Sequence, residues 1–278
     1  MGNLVTNVHE ILADKSNELW LPGLARMLVA EREARLPFEA REYSTSRFLG
    51  IGEPINICDI AAKSAGPLSL RLENMAKTGN QRFADRGLKF VDDGRISEAT
   101  YQVISAAISL ICLVPSLALT VNTIVRSLHV LQSDDPSIDI SFSDPAIPFS
   151  IFLSVSQGMN ADIRIAEAII HETMHLQLSL VEQVVPIVLD DTIMRYSPWK
   201  QRPRPLSGLI HALYVFRVID IWLGRISSSN FSMPGISRRR AQIAEEIAEL
   251  DMTGTVEGFT EQGLVLMSRL VLTSDSSC

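Results

Sequence analysis

The stretch LSGLIHALYVFRVIDIWLGR, Leu206 to Arg225, is apolar on almost every side of the helix that its spacing predicts. Such a helix needs protein around most of its circumference, so the chain has to pack other helices about it. Its 278 residues, 46% of them hydrophobic, are enough to bury a sizeable core. No Pro-, Gly- or Ser-rich tract reads as a linker and no repeat is visible, so the expectation is one domain over residues 1–278.

The remaining pattern is mostly helical. NELWLPGLARMLVAEREARL has apolar residues at helical spacing with Pro22 near its start. PLSLRLENMAKTGN reads as helix, and so does ISEATYQVISAAISLICL, with Ser97 as N-cap followed by Thr100. Tyr101 to Val125 holds no charged residue and is long enough to span a bilayer. Pro115 and the scattered Gln102, Ser105, Ser109, Thr120, Asn122 and Thr123 instead predict two buried helices meeting at the proline. Between about 138 and 156 two short apolar runs, split by Asp144-Pro145 and Pro148, predict an antiparallel strand pair. A long helix follows at about 160–184, with Asn160 as N-cap and a stop before Pro186. DDTIMRYSPWKQRPRP reads as a loop, and the loop with its buried helix occupies about 195–226. Two amphipathic helices, near Ser237–Asp251 and Thr255–Leu272, close the chain. The expected fold class is mainly α with a small antiparallel β-sheet (α+β).

The 160–184 helix contains His171-Glu172-x-x-His175. Residues four apart lie one turn above each other, so both imidazoles can reach one ion, and Glu172 sits where a metal-bound water would be. A third ligand is needed. Leu178 and Val181 stand where HExxHxxGxxH would place its further residues, so that arrangement is absent. Glu245, Glu246 or Glu249 on a later helix are candidates; Glu182, two turns along the same helix, reads as too far. The other candidate is His211, which follows Gly208, a position that permits close approach of backbones.

In RYSPWKQRPRPLSG, Arg202 and Arg204 each precede a proline, which biases both toward extended backbone. A stiff segment ahead of a buried helix suits bidentate capture of a carboxylate, with Tyr196 and Trp199 walling the pocket. Taken together, SDPAIPFSIFLSV, AEAIIHETMHLQL and YSPWKQRPRPLSGLIHALYVF resemble the 2-oxoglutarate-dependent HExxH-type peptide β-hydroxylases, enzymes that modify ribosomally made peptides. The match runs from about Ile138 to Phe216 and rests on the order HExxH, SPW, RPLxG and the histidine of LIHALY. The resemblance implies a zincin-like HExxH helix packed on the sheet. It also implies Fe(II) held by His171, His175 and His211, 2-oxoglutarate held by Arg204 with Arg202 as second choice, dioxygen as co-reactant and a precursor peptide as substrate. In that reading Glu172 orients a ligand or solvent instead of activating water. PFSIFLSV is expected to be an edge strand that pairs with the peptide.

The runner-up is a zinc metallopeptidase with Glu172 as general base; the third reading is a non-catalytic peptide-binding protein with a structural metal. A net charge of −7 argues against nucleic-acid binding, and Arg238-Arg239-Arg240 reads as a solvated helix face. Three widely spaced cysteines, Cys58, Cys112 and Cys278, form no disulfide framework, and the N-terminus has no signal core. The expected location is cytoplasmic, with no membrane partner.

Overall fold

The structure is a computed structural model that describes residues 2–35, 54–56, 69–72, 89–90, 96–132, 139–144, 149–228 and 234–272. In order these form α1 (Gly2–Ala13), α2 (Pro22–Arg35), β1 (Pro54–Asn56), β2 (Ser69–Leu72), β3 (Lys89–Phe90), α3 (Glu98–Cys112), α4 (Pro115–Ile124) and β4 (Ser127–Gln132). Then come β5 (Ser141–Ser143), β6 (Ser150–Ser154), α5 (Ala161–Glu182), β7 (Met194–Ser197), β8 (Arg202–Pro205), α6 (Leu206–Ser228), α7 (Pro234–Ala248), a 3-10 turn (Val256–Gly258) and α8 (Glu261–Leu272). The class is mainly helical α+β. The chain divides into two compact units, Ala25–Leu176 and Met1–Leu24 with Gln177–Cys278, the division falling within α2 and α5.

In the Ala25–Leu176 unit, local signals act as the residues dictate. Ser97 caps α3, its hydroxyl accepting from Thr100 N at 3.1 Å. Pro115 opens α4 at a first-turn position, where its missing N–H leaves no bond unmade. The apolar run Tyr101–Val125 is therefore two helices of 15 and 10 residues, α3 beginning at Glu98, whose buried residues include Ile104, Ile108, Ile111, Leu117 and Val121. Asn160 begins α5 differently from expectation. Its carbonyl accepts from Arg164 N, but its φ is +56°, a left-handed conformation that asparagine tolerates and that an ordinary N-cap does not use.

The sheet is larger than the expected strand pair and is mixed. Its order is β1-β2-β4-β6-β5, with β3 also on β4. β4 runs parallel to β2 and β6, while β5 runs antiparallel to β6 and β3 antiparallel to β4. Residues 69–72, expected in a helix, are strand β2; the rest of that stretch lies outside the described residues. SLRL alternates with period two, and its short apolar content fits a strand as well as a helical turn. β4 and β6 are buried along nearly their whole length, which a strand covered on both faces requires. On one face His129, Phe152 and Phe142 form a cross-strand stack with centroids 4.7 Å apart at each step.

PFSIFLSV does not lie at an edge. Its ordered part, β6, sits between β4 and β5, so its backbone groups are already paired and it cannot add a substrate strand. Among the described residues, β5 occupies that end of the sheet.

The other unit is built on α6. Among the described residues α6 is the one helix long and apolar enough to cross a membrane by length and composition, and 61% of its apolar window is buried. Tyr214 donates to Leu19 O at 2.7 Å, and Gln177 Nε2 donates to Trp20 O at 2.9 Å. Arg269 of α8 donates to Leu12 O at 3.0 Å and to Asn17 O, tying the segment after α1 to the last helix. The expected loop at 190–205 is a hairpin instead: β7 pairs β8 from Met194↔Pro205 to Ser197↔Arg202. Its prolines sit in β8, where Pro203 and Pro205 leave no ladder donor to satisfy on a two-stranded edge. The Arg238–Arg240 run is not simply a solvated face. Arg240 Nε donates to Asp220 of α6 at 2.8 Å, and Arg239 lies over the Phe216 ring at 5.6 Å.

Candidate metal and carboxylate site

A single helical register brings the two histidines together. His171 and His175 project from adjacent turns of α5, with their Nε2 atoms 3.0 Å apart and rings 4.6 Å between centroids. Both are half-buried, unlike the fully buried Met174 and Gln177 between and beside them, so they lie on the more open stripe of the helix. Two nitrogens held about 2.1 Å from one ion stand roughly 3.0 Å apart at a right angle and roughly 3.4 Å apart at the tetrahedral angle. The observed 3.0 Å spacing is close to both values, so the two nitrogens are near enough to reach one ion. Without an ion the same approach is a hydrogen bond in which one ring carries the proton.

Glu172 points elsewhere. It is 3% exposed, and its two oxygens accept separately, Oε1 from Ser141 Oγ at 2.8 Å and Oε2 from Ser143 Oγ at 3.0 Å. Ser141 and Ser143 are two apart on β5 and so share one face. Sequence reasoning missed both serines. The period-two spacing of SFS was a usable signal, but nothing local names a glutamate 29 and 31 residues away as their partner.

In the other unit, His211 Nε2 meets Glu182 Oε2 at 3.0 Å. Glu182, set aside as a ligand, is thus the carboxylate that orients the His211 ring. When His211 Nε2 carries the proton, its Nδ1 holds the lone pair, the arrangement by which a carboxylate fixes the tautomer of a metal-binding histidine. Among the described residues no three His, Cys, Asp or Glu side chains converge on one point as a metal group would. Glu245 and Glu249 are exposed on α7, and Glu246 accepts from Gln242.

The hairpin sorts the remaining candidates by face. Arg204 opposes Arg195, and Arg202 opposes Ser197; Tyr196 opposes Pro203 on the other face and is 51% exposed, so Tyr196 does not share a wall with Arg204. Arg202 is exposed. Arg204 is half-buried and lies against Gly208, where an added methyl carbon would stand 2.8 Å from Nη2. Gly208 therefore makes room for a guanidinium rather than for a second backbone. Trp199, at the hairpin turn, stacks on Phe216 at 5.1 Å and 8°. Its indole N–H is buried with no acceptor among the described residues.

No protein-family model and no curated protein matches the chain.

Proposed function

We propose that this chain is an Fe(II)- and 2-oxoglutarate-dependent oxygenase that hydroxylates a side-chain carbon, Cβ, of a ribosomally made precursor peptide. The observation that carries the reading is Arg204. A half-buried guanidinium fixed at the start of α6, with no acidic partner among the described residues, is a receptor for a carboxylate. Further support comes from Glu172, whose two oxygens are both engaged by serines, leaving it poorly placed to activate water.

His171 and His175 would hold the ion, and the resemblance supplies His211 as the third ligand, its ring bonded to Glu182. Arg204 binds the far carboxylate of 2-oxoglutarate, and the Trp199 indole N–H offers a further donor; Arg202 is the second choice for the carboxylate. When bound, iron with 2-oxoglutarate and dioxygen supplies the oxidation, one oxygen atom going to the peptide carbon and the other to succinate, with release of carbon dioxide. The zincin-like packing of α5 on the sheet belongs to the same proposal, supported by the Glu172 bonds to β5. So do the peptide partner and a cytoplasmic location.

The test needs no peptide. Metal-free protein is loaded with Fe(II) without oxygen and titrated with 2-oxoglutarate while visible absorbance is recorded. A saturating charge-transfer band that Arg204→Ala weakens is the expected result. No band, together with tight zinc binding, peptide-bond cleavage and loss of that cleavage in Glu172→Gln, would return the site to the peptidases.

A further inference from the structure

Helix α6 carries two glycines, Gly208 in its first turn and Gly224 near its end. Each of the two has an arginine lying on it. A methyl carbon at Gly224 would meet Arg240 Cζ at 3.2 Å and both terminal nitrogens at 3.3 Å. At Gly208 it would meet Arg204 Nη2 at 2.8 Å, Nε at 3.1 Å and Cζ at 3.2 Å.

The two guanidiniums differ in what they meet. Arg240 donates to Asp220, one turn before its own glycine. Arg204 has no such carboxylate among the described residues. Alanine is a better helix former than glycine, so helix propensity does not account for glycine in the first turn of α6 at 208. Space does. Pro205 keeps Arg204 extended, and the β8 ladder fixes where its side chain leaves the backbone.

We infer that Gly208 is a positioning residue for Arg204: its missing side chain is the seat that holds the guanidinium against the first turns of α6, ready for the carboxylate of a ligand. The inference rests on the oxygenase reading for the identity of that ligand, 2-oxoglutarate, but not for the seat. Gly208 touches no substrate and acts through Arg204 alone.

The test compares wild type, Gly208→Ala and Gly23→Ala, the last at an exposed helical glycine where nothing lies within 4 Å of an added methyl. The Nε–H resonance of Arg204, assigned by its loss in Arg204→Lys, is followed by NMR, and 2-oxoglutarate is titrated into the Fe(II) protein without oxygen. Gly208→Ala is expected to move the resonance and to raise half-saturation by at least about tenfold, as loss of a charge-assisted bidentate contact does. Its melting temperature stays level or rises, because alanine favours the helix. Gly23→Ala changes neither the resonance nor the titration. A Gly208→Ala protein that keeps both at wild-type values, or that loses affinity only together with its melting transition, overturns the assignment. If wild type responds to neither 2-oxoglutarate nor glutarate, the oxygenase reading fails. The comparison of Arg204 resonances then still decides whether Gly208 is its seat.

Discussion

At the scale of single residues, the decisive feature is how buried polar groups are satisfied. Glu172 is an almost fully buried carboxylate that two serine hydroxyls reach, one at each oxygen. Ser141→Ala and Ser143→Ala should each destabilise the protein by about 1–2 kcal/mol in urea unfolding, since each leaves a buried carboxylate oxygen with one donor fewer. Tyr214 supplies a pH signature. Burial, opposed weakly by Arg269, pushes its hydroxyl above the ordinary value of 10.0. The folded state therefore disfavours the ionised form. Its contribution is complete below about pH 10 and is lost as pH rises beyond that value toward the folded one. The urea midpoint should fall above about pH 10, and Tyr214→Phe should flatten that fall. The same variant should cost about 1 kcal/mol near neutrality, because Leu19 O and Gln177 lose their donor.

At the scale of elements, the hairpin and α6 form one device. Asp191 caps α6 from outside it: Oδ1 accepts from Ser207 N and Oδ2 from Ser207 Oγ, both at 2.8 Å. Asp191→Ala should lower stability by about 1 kcal/mol, the usual loss for a removed cap, read as a shift in melting temperature. At the tip, Gln201 has a φ of +50°, which a side chain disfavours. Gln201→Gly should therefore raise stability by about 1 kcal/mol, leaving Trp199 on Phe216 and the tryptophan emission maximum unchanged. A lowered melting temperature would mean that the turn needs the glutamine side chain. The same geometry explains why α6 is less uniform than its apolar sequence suggests. Gly208, Gly224 and Asp220 interrupt it to receive arginines from β8 and α7.

At the scale of the whole molecule, ligand binding links to folding. An ion that binds only the folded chain stabilises it by about 2.7 kcal/mol at a hundred times its dissociation constant. Adding Fe(II) under anaerobic conditions should raise the melting temperature, and His175→Ala should abolish the rise. An equal rise in the variant would remove the histidine pair from the site. The Ala25–Leu176 unit holds the sheet and the histidine pair, and the other holds α6, the hairpin and the Glu182–His211 pair.

Signals that act within a turn or two of chain were legible in the sequence. Ser97 with Thr100, Pro22 and Pro115 mark helix starts through local hydrogen bonding and a fixed φ. His171 and His175 meet because helical spacing alone puts them on one face. The apolar wrap of α6 likewise announced its burial. Only the tertiary structure decided the rest. Strand order put β6 inside the sheet and β5 at its end, which no pattern within either strand encodes. The partners of Glu172 and His211 lie 29 to 31 residues away, and a buried polar group takes whatever donor or acceptor the packed chain brings to it. Arg204 needed its glycine for the same reason: the seat exists only once the hairpin has folded onto α6.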